Sequence, residues 1–187
     1  MNIPIYLIFL TFFTGLAGAS DYAGQNSRTI KSLSSQDIED LRHGRGWGLA
    51  KPAELNGLPG PIHLLELRSE LALSQSQIDA IQTIYDEMNA EAREIGARYI
   101  RDERVVEEAL LEPGANGEQL KTAVIAAANT RAALRLIHLE AHLQTPGLLS
   151  ADQLEKYKEL RGYSDQNLCD NPPAGHDAKM WRRHNNC

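Results

Sequence analysis

The chain has 187 residues, a length at which one domain with a single hydrophobic core is expected. Its 25 acidic and 19 basic residues give a net charge of -6, so the sequence predicts no concentrated basic surface. Because nonspecific binding to nucleic acid or to an anionic membrane requires such a surface, both functions are disfavoured, and we expect no nucleic-acid partner.

The first residues indicate export from the cytoplasm. Residues 3–16 are almost wholly apolar, and Ala17, Gly18 and Ala19 then supply the small-x-small pattern that signal peptidase accepts. The apolar run is shorter than the about 20 residues that a membrane span needs. We therefore expect a cleaved signal peptide at residues 1–19 and a mature protein in the periplasm. An uncleaved N-terminal anchor is the alternative.

Residues 20–60 are rich in Gly, Ser, Asn and Pro, which oppose regular structure. We expect an extended N-terminal arm there, either flexible or ordered, with at most a short helix at residues 35–41. The helical body should begin at Pro61. A short, strongly apolar helix is predicted next, from the leucines Leu64, Leu65, Leu67, Leu71 and Leu73.

A long helix is predicted to begin after Ser74, because Ser74 and Gln77 form the S-x-x-Q version of a capping box. From Ile78 to Ala109, apolar residues follow at alternating three- and four-residue steps, and only Asp102 interrupts the series. The helix-breaking residues 112–117 end the pattern, which gives a length of about 50 Å. One apolar stripe of this length requires a partner helix.

Residues 120–144 supply that partner, and the short connection predicts an antiparallel hairpin. Its expected packed face consists of Val124, Ala127, Leu134, Ile137 and Ala141. Ser150 and Gln153 repeat the capping-box signal before a last helix that ends at Gly162.

Beyond residue 163 the composition turns to Asn, Pro, Gly and His, so we expect a flexible C-terminal tail at residues 164–187. Cys169 and Cys187 both lie in this tail. In an oxidising compartment they could form a disulfide, pair between chains through Cys187, or stay free.

Two segments, L-S-Q-S-Q at residues 73–77 and L-S-A-D-Q at residues 149–153, resemble the twin L-T-x-x-Q motifs of the Spy/CpxP family of envelope proteins, with Ser in place of Thr. The L-R-G-Y ending at residues 160–163 resembles the periplasmic heavy-metal-sensor branch. The resemblance covers residues 61–163. It implies an all-α, hooked antiparallel hairpin of about four helices that commonly dimerises. Its members act as ATP-independent chaperones, as inhibitors of stress kinases or as metal sensors, and the fold does not choose among these roles.

His138 and His142 are four residues apart on the second long helix, which places both imidazoles on one face. The resemblance to the sensor branch implies a metal-binding His and Met at these two positions. His142 in place of the thioether favours Zn, Ni, Co or Cu(II) over Cu(I).

The sensors' other ligands come from a His-x-x-x-His on the first short helix, where this chain has only His63. We expect His63 and Glu66 to complete the site, with Asp86 or Glu87 as further candidates. In the alternative, His138 hydrogen-bonds a backbone carbonyl or a Glu beside the helix seam, while His142 is solvated.

The sequence contains two other candidate sites. A chaperone face could include Arg98, Tyr99 and Arg101, because long basic side chains cover apolar surface while keeping their charge in water. The alternative is an ordinary solvated helix face. A second metal site could use tail residues, with an unstructured end as the alternative; the candidate ligands are His176, Asp177, His184 and Cys187.

The sequence contains no phosphate-binding loop, nucleophile elbow, H-E-x-x-H or C-x-x-C motif, so we expect no enzyme. The leading prediction is a homodimeric periplasmic accessory protein for heavy-metal sensing or envelope stress that binds a divalent transition metal. Its partner would be a membrane-bound regulator or unfolded periplasmic proteins. The alternative is a Spy/CpxP-type chaperone or stress-kinase inhibitor without a metal site.

Overall fold

The computed structural model describes residues 22–111, 113, 116–163, 169, 172, 177–184 and 187, so the predicted signal peptide lies outside the described residues. The described residues form an all-α fold without strands, as predicted. None of their helices combines the length and the apolar character that a membrane span requires. The helices are α1 Ser35–Arg42, α2 Lys51–Leu55, α3 Pro61–Glu66, α4 Gln75–Leu111, α5 Gly117–Gln144, α6 Ala151–Arg161 and α7 Ala178–His184.

The long helices α4 and α5 pack as the predicted antiparallel hairpin. The capping box at the start of α4 is present: Ser74 N donates to Gln77 Oε1 at 2.9 Å, and Gln77 N donates to Ser74 Oγ at 3.3 Å. With 37 residues, α4 is about 55 Å long. Asp102, which interrupts the apolar series, accepts a 2.5 Å hydrogen bond from Thr130 Oγ1 of α5. The interruption is therefore a polar contact between the two helices.

The buried face of α5 agrees with the predicted one at Ala127, Leu134 and Ala141 and differs at Val124 and Ile137. Val124 is 47% exposed, and Ile137 is only partly buried. Because one residue turns a helix by about 100°, Val124 is rotated by that angle from the buried Ala123. Three polar residues, Thr130, His138 and His142, occupy positions of this face that the apolar pattern did not mark. The buried residues of α5 are Ala123, Ala127, Thr130, Leu134, His138, Ala141 and His142.

The two L-S-x-x-Q segments meet in space. The Gln77 side-chain amide donates to Gln153 Oε1 at 2.8 Å and to the Leu148 carbonyl at 2.7 Å. In return, Gln153 Nε2 donates to the Leu71 carbonyl at 3.2 Å. Ser150 and Gln153 also form their own capping box at the start of α6. Each Gln side chain thus caps its own helix and hydrogen-bonds the segment that precedes the other helix.

The first apolar helix is shorter than predicted, since α3 ends at Glu66 and a series of turns continues to Ala72. Ala72 has a φ of 48°, which is incompatible with a continuing α-helix. Leu71 is nevertheless buried, in a cluster beside α6 with Leu64, Leu65, Ile81 and Tyr157.

The described part of the arm, residues 22–60, is an integral part of the core. The predicted short helix is present as α1, and α2 is added to it. Four apolar residues of the arm are buried against α4 and α5: Ile30, Leu33, Leu41 and Leu49. On α4, Gly96 lets the Leu41 carbonyl approach so closely that an added Cβ would lie 2.3 Å from its oxygen. The arm therefore packs on the hairpin, where we expected an extended segment.

Two features are described within the tail. Cys169 and Cys187 form a disulfide, the first of the three arrangements considered for them. Helix α7 has no buried residue. Asp177 accepts a hydrogen bond from Met180 N at 2.8 Å and His184 is exposed on α7, whereas His176 lies outside the described residues.

Candidate functional site

A cavity of about 470 Å³ lies between the arm, α3 and the hairpin. Apolar side chains form much of its wall, among them Trp47, Ile62 and Met88. Trp47 has a φ of 44°, a conformation that costs an L-residue about 1–2 kcal/mol. Its indole Nε1 donates to Asp37 Oδ1 at 2.8 Å, and its ring packs on Tyr99 with the centroids 5.8 Å apart. Strained residues held by such contacts are typical of binding sites.

Three of the four predicted metal ligands line this cavity: His63, His138 and His142. His138 is only 2% exposed, and its Nε2 is buried without a hydrogen-bond partner among the described residues. Burial, with a smaller contribution from His142, lowers the pKa of His138 to about 4. The ring is therefore neutral at pH 7. In the alternative, His138 hydrogen-bonds a backbone carbonyl or a Glu, and among the described residues Nε2 has no such partner.

His142 is also buried and is not solvated. Its Nδ1 lies 2.8 Å from the Leu58 carbonyl oxygen of the arm. Because a carbonyl only accepts, Nδ1 carries the proton and Nε2 keeps its lone pair when the ring is neutral. Gly60 lies against this nitrogen, since a Cβ at Gly60 would be 2.9 Å from His142 Nε2. The arm thus sets both the tautomer and the surroundings of His142.

His63 approaches the same place from α3. Its Cδ2 would be 3.5 Å from a Cβ added at Gly60, so the rings of His63 and His142 both lie close to Gly60. His63 Nδ1 is 3.1 Å from Glu66 Oε2. Glu66 does not line the cavity, so the structure places it behind His63, where it can orient the imidazole. Asp86 and Glu87 also lie outside the cavity lining.

Glu54 of α2 belongs to the site but was not predicted. It is buried and accepts hydrogen bonds from the Tyr157 hydroxyl, from Arg161 Nε at 3.2 Å and from Gly60 N at 3.1 Å. Its Oε2 also lies 3.7 Å from His142 Nδ1. Nothing in the arm sequence marks this Glu; the one available signal is that a buried tyrosine such as Tyr157 needs a partner for its hydroxyl. Glu54 joins the arm to α6 at the cavity.

The ligand set is incomplete for a metal ion. Within the described ranges, no three His, Cys, Asp or Glu side chains are grouped closely enough to hold one. The fold brings His63, His138 and His142 to one cavity but not around one point. The two imidazoles of α5 are suitable donors for Zn, Ni, Co or Cu(II), and the other coordination positions would need further donors.

The predicted client-binding residues do not form one exposed surface. Arg98 and Arg101 are exposed, whereas Tyr99 is buried beneath the arm and contacts Trp47. Tyr99 hence contributes to the core.

No protein-family model matches the chain, and neither a curated protein nor a solved structure is significantly similar to it. Membership of the Spy/CpxP family, with the homodimer that it implies, therefore stays a prediction from the two motifs.

Proposed function

We propose that this chain is an exported, non-enzymatic accessory protein that binds a divalent transition metal through His138 and His142, with His63 as the nearest additional ligand. The observation that carries the proposal is the buried, neutral imidazole of His138 beside a cavity. Leaving a buried polar atom unpaired costs about 1–3 kcal/mol, so its retention at a packed position favours a role in binding.

The surroundings of the other two imidazoles support the same function. The Leu58 carbonyl fixes the His142 tautomer that leaves Nε2 available, and Glu66 holds His63 through Nδ1. Such contacts to the second ring nitrogen are the usual support of metal-binding histidines, because they orient the ring and raise its basicity.

The contacts of the arm with His142 support a sensing role. Leu58 and Gly60 belong to the arm, so a metal on His142 would act directly on the segment that covers the hairpin. Metal can shift the arm only if it binds two arrangements with different affinity. We propose that occupancy changes how the arm packs, and that a membrane-bound regulator in the periplasm reads this change.

Calorimetric titration of residues 20–187 with Zn²⁺, Ni²⁺, Co²⁺ and Cu²⁺ tests metal binding. We expect a dissociation constant of about 1 μM or tighter for at least one ion. His138→Ala and His142→Ala should each weaken binding by about tenfold or more. His43→Ala is the matched control, because His43 is exposed and does not line the cavity. Absence of binding, or parental affinity in both variants, would refute the proposal.

A metal-independent chaperone or stress-kinase inhibitor is the second candidate. It is favoured by apolar side chains on the outer surface of α5, where Leu136 is 53% and Leu143 is 64% exposed. In that case the metal-free protein should suppress aggregation of a reduced client equally well with and without chelator. Leu136→Ser combined with Leu143→Ser should reduce this suppression. Unchanged suppression in the double variant would exclude this surface.

A further inference from the structure

The cavity between the arm, α3 and the hairpin has the size of a site for a small organic molecule. Its volume is about 470 Å³, which falls in the range of about 300–1,000 Å³ that is typical of such sites. Separate elements supply its apolar wall, with Leu55 on α2, Ile62 on α3, and Tyr85 and Met88 on α4. Leu55 is 57% exposed, so this wall presents apolar surface to water. Covering that surface with an apolar group is favourable.

The charged groups around the cavity leave one cation unpaired. Glu54 is the one carboxylate in the described lining, and it pairs with Arg161 at 3.2 Å. Arg45 also lines the cavity and pairs with Asp40 at 2.8 Å. The Lys51 ammonium has no carboxylate partner among the described residues. The cavity therefore favours an anionic group, although the chain as a whole is acidic.

The unpaired cation and the exposed apolar side chain lie next to each other. Lys51 and Leu55 are four residues apart on α2, and both line the cavity. Residues at this spacing are neighbours on one face of a helix. One unpaired cation matches a single negative charge, whereas a phosphate monoester carries nearly two. The pair therefore fits a molecule that joins one carboxylate directly to a hydrocarbon chain.

We propose that this cavity binds an amphipathic monocarboxylate, an organic acid with one negative charge and an apolar chain. The carboxylate lies at Lys51, and the chain lies along Leu55, Ile62 and Met88. No metal ion takes part in this contact. The inference therefore goes beyond the proposed metal-binding function and does not depend on it.

Octanoate, octan-1-ol and acetate provide a test in which the order of the affinities decides. Residues 20–187, freed of metal by prior dialysis against chelator, are titrated with each compound by calorimetry. We expect octanoate to bind with a dissociation constant of about 0.1 mM or tighter. Acetate lacks the apolar chain and should bind at least about tenfold more weakly.

The comparison with the alcohol isolates the role of the charge. A purely apolar contact would favour octan-1-ol, because its burial does not require a charge to leave water. Since Lys51 is exposed, we expect its ion pair with the carboxylate to make octanoate bind about threefold to fivefold more tightly than octan-1-ol. Absence of octanoate binding, or equal or tighter binding of the alcohol, would overturn the inference.

Variants of α2 place the ligand in the cavity. Lys51→Met removes the ammonium and keeps an apolar stem, so the affinity for octanoate should fall to that for octan-1-ol, and the affinity for the alcohol should stay within about twofold. Leu55→Ser should weaken the binding of both compounds. Lys121→Met and Leu143→Ser are the matched controls, because both residues are exposed and lie outside the cavity lining. Parental octanoate affinity in both α2 variants would refute the assigned site.

The same titrations separate this inference from the proposed function. If Ni²⁺ binds the parent and octanoate does not, the carboxylate inference fails and the proposed function stands. If octanoate binds the metal-free protein and none of the metal ions binds, the proposed function fails and the carboxylate site stands.

Discussion

His138 occupies a position on the packed face of α5 where an apolar side chain would be the more stable choice. The neighbouring buried positions of the helix, Leu134 and Ala141, are apolar. His138 carries a nitrogen into the same interface and leaves it unpaired. Because an unpaired buried nitrogen is unfavourable, His138 should lower the free energy of unfolding of the metal-free protein by a measurable amount.

Replacing His138 with Leu should stabilise the metal-free protein. The substitution removes an unpaired buried polar atom and keeps an apolar side chain of similar size, so we expect a gain of about 1–2 kcal/mol in the free energy of unfolding. Urea denaturation with chelator present measures it. Metal binding should be lost in the same variant. A loss of stability above about 1 kcal/mol would show that the imidazole makes a contact that the structure does not contain.

Acid should destabilise the metal-free protein through the same residue. The pKa of His138 is lowered from 6.5 to about 4 on folding, so below pH 6.5 the unfolded chain binds a proton that the folded chain excludes. The free energy of unfolding should therefore fall as the pH decreases from 6.5 to 4, by about 3 kcal/mol from this group alone.

Other titratable groups line the same cavity, namely His142 on α5, His63 on α3, Glu54 on α2 and Arg161 on α6. The difference between the parent and His138→Leu isolates the contribution of His138. The urea midpoints of the two proteins are measured every half pH unit. Above pH 7 the midpoints should differ by a constant amount, and below pH 6.5 this difference should grow progressively. Parallel profiles throughout would contradict a neutral, buried His138.

At the scale of the elements, the joint between α1 and α4 depends on the absence of one side chain. Gly96 sits within α4, where Ala would have the higher helix propensity by about 1 kcal/mol. An added Cβ would nevertheless lie 2.3 Å from the Leu41 oxygen, which is backbone and cannot rotate away. The close contact between α1 and α4 therefore outweighs the higher helix propensity that Ala would have at this position.

Gly96→Ala should destabilise the protein by about 1–3 kcal/mol, because α1 must move away from α4. Gly117→Ala is the matched control, since Gly117 also lies in a helix and has no atom within 4 Å of an added Cβ. The control should be neutral or slightly stabilising. Thermal unfolding monitored by circular dichroism compares the two, and equal midpoints would exclude the close contact.

The elements differ in how far the sequence predicts them. Local signals define α4 and α6, because the Ser74 and Ser150 hydroxyls each accept a hydrogen bond from the backbone N–H three residues later. In the arm the sequence predicts only the short helix α1. The packing of the arm was not predicted, since its buried residues Ile30, Leu33, Leu41 and Leu49 follow no single period and are buried by packing on α4 and α5. Contacts between distant segments override the local preference of a Gly-rich and Pro-rich sequence.

The candidate site shows the same division. Helical spacing was enough to place His138 and His142 on one face, and the hook brought His63 to the same cavity. Spacing could not distinguish the roles of Glu66 and Glu54. Glu66 is near His63 in sequence but lies outside the cavity, whereas Glu54 reaches Tyr157 from 103 residues away.

At the scale of the whole molecule, the cavity is where four parts of the chain meet. The arm contributes Trp47, α3 contributes His63, the hairpin contributes His138 and α6 contributes Arg161. A ligand bound there contacts all of them, so its binding energy adds to the stability of the whole assembly and not of one helix.

A saturating metal should therefore raise the melting temperature of the entire helical signal in one transition. At about 100 times the dissociation constant, the added stability is about 2.7 kcal/mol. For a domain of this size that corresponds to a rise of roughly 5–10 °C. Calorimetry with and without Ni²⁺ measures the shift, and His142→Ala should show almost none. A shift confined to one of two separate transitions would indicate that the arm and the hairpin unfold independently.

The Gln77–Gln153 pair has a further consequence for motion. Gln77 in the first turn of α4 and Gln153 in the first turn of α6 are 76 residues apart in sequence, yet their side-chain amides hydrogen-bond each other. Neither end can fray without releasing its counterpart, so the two should open together as one cooperative unit. Their backbone amides would then exchange hydrogen for deuterium at a common rate, and loss of either amide side chain would accelerate exchange at both ends.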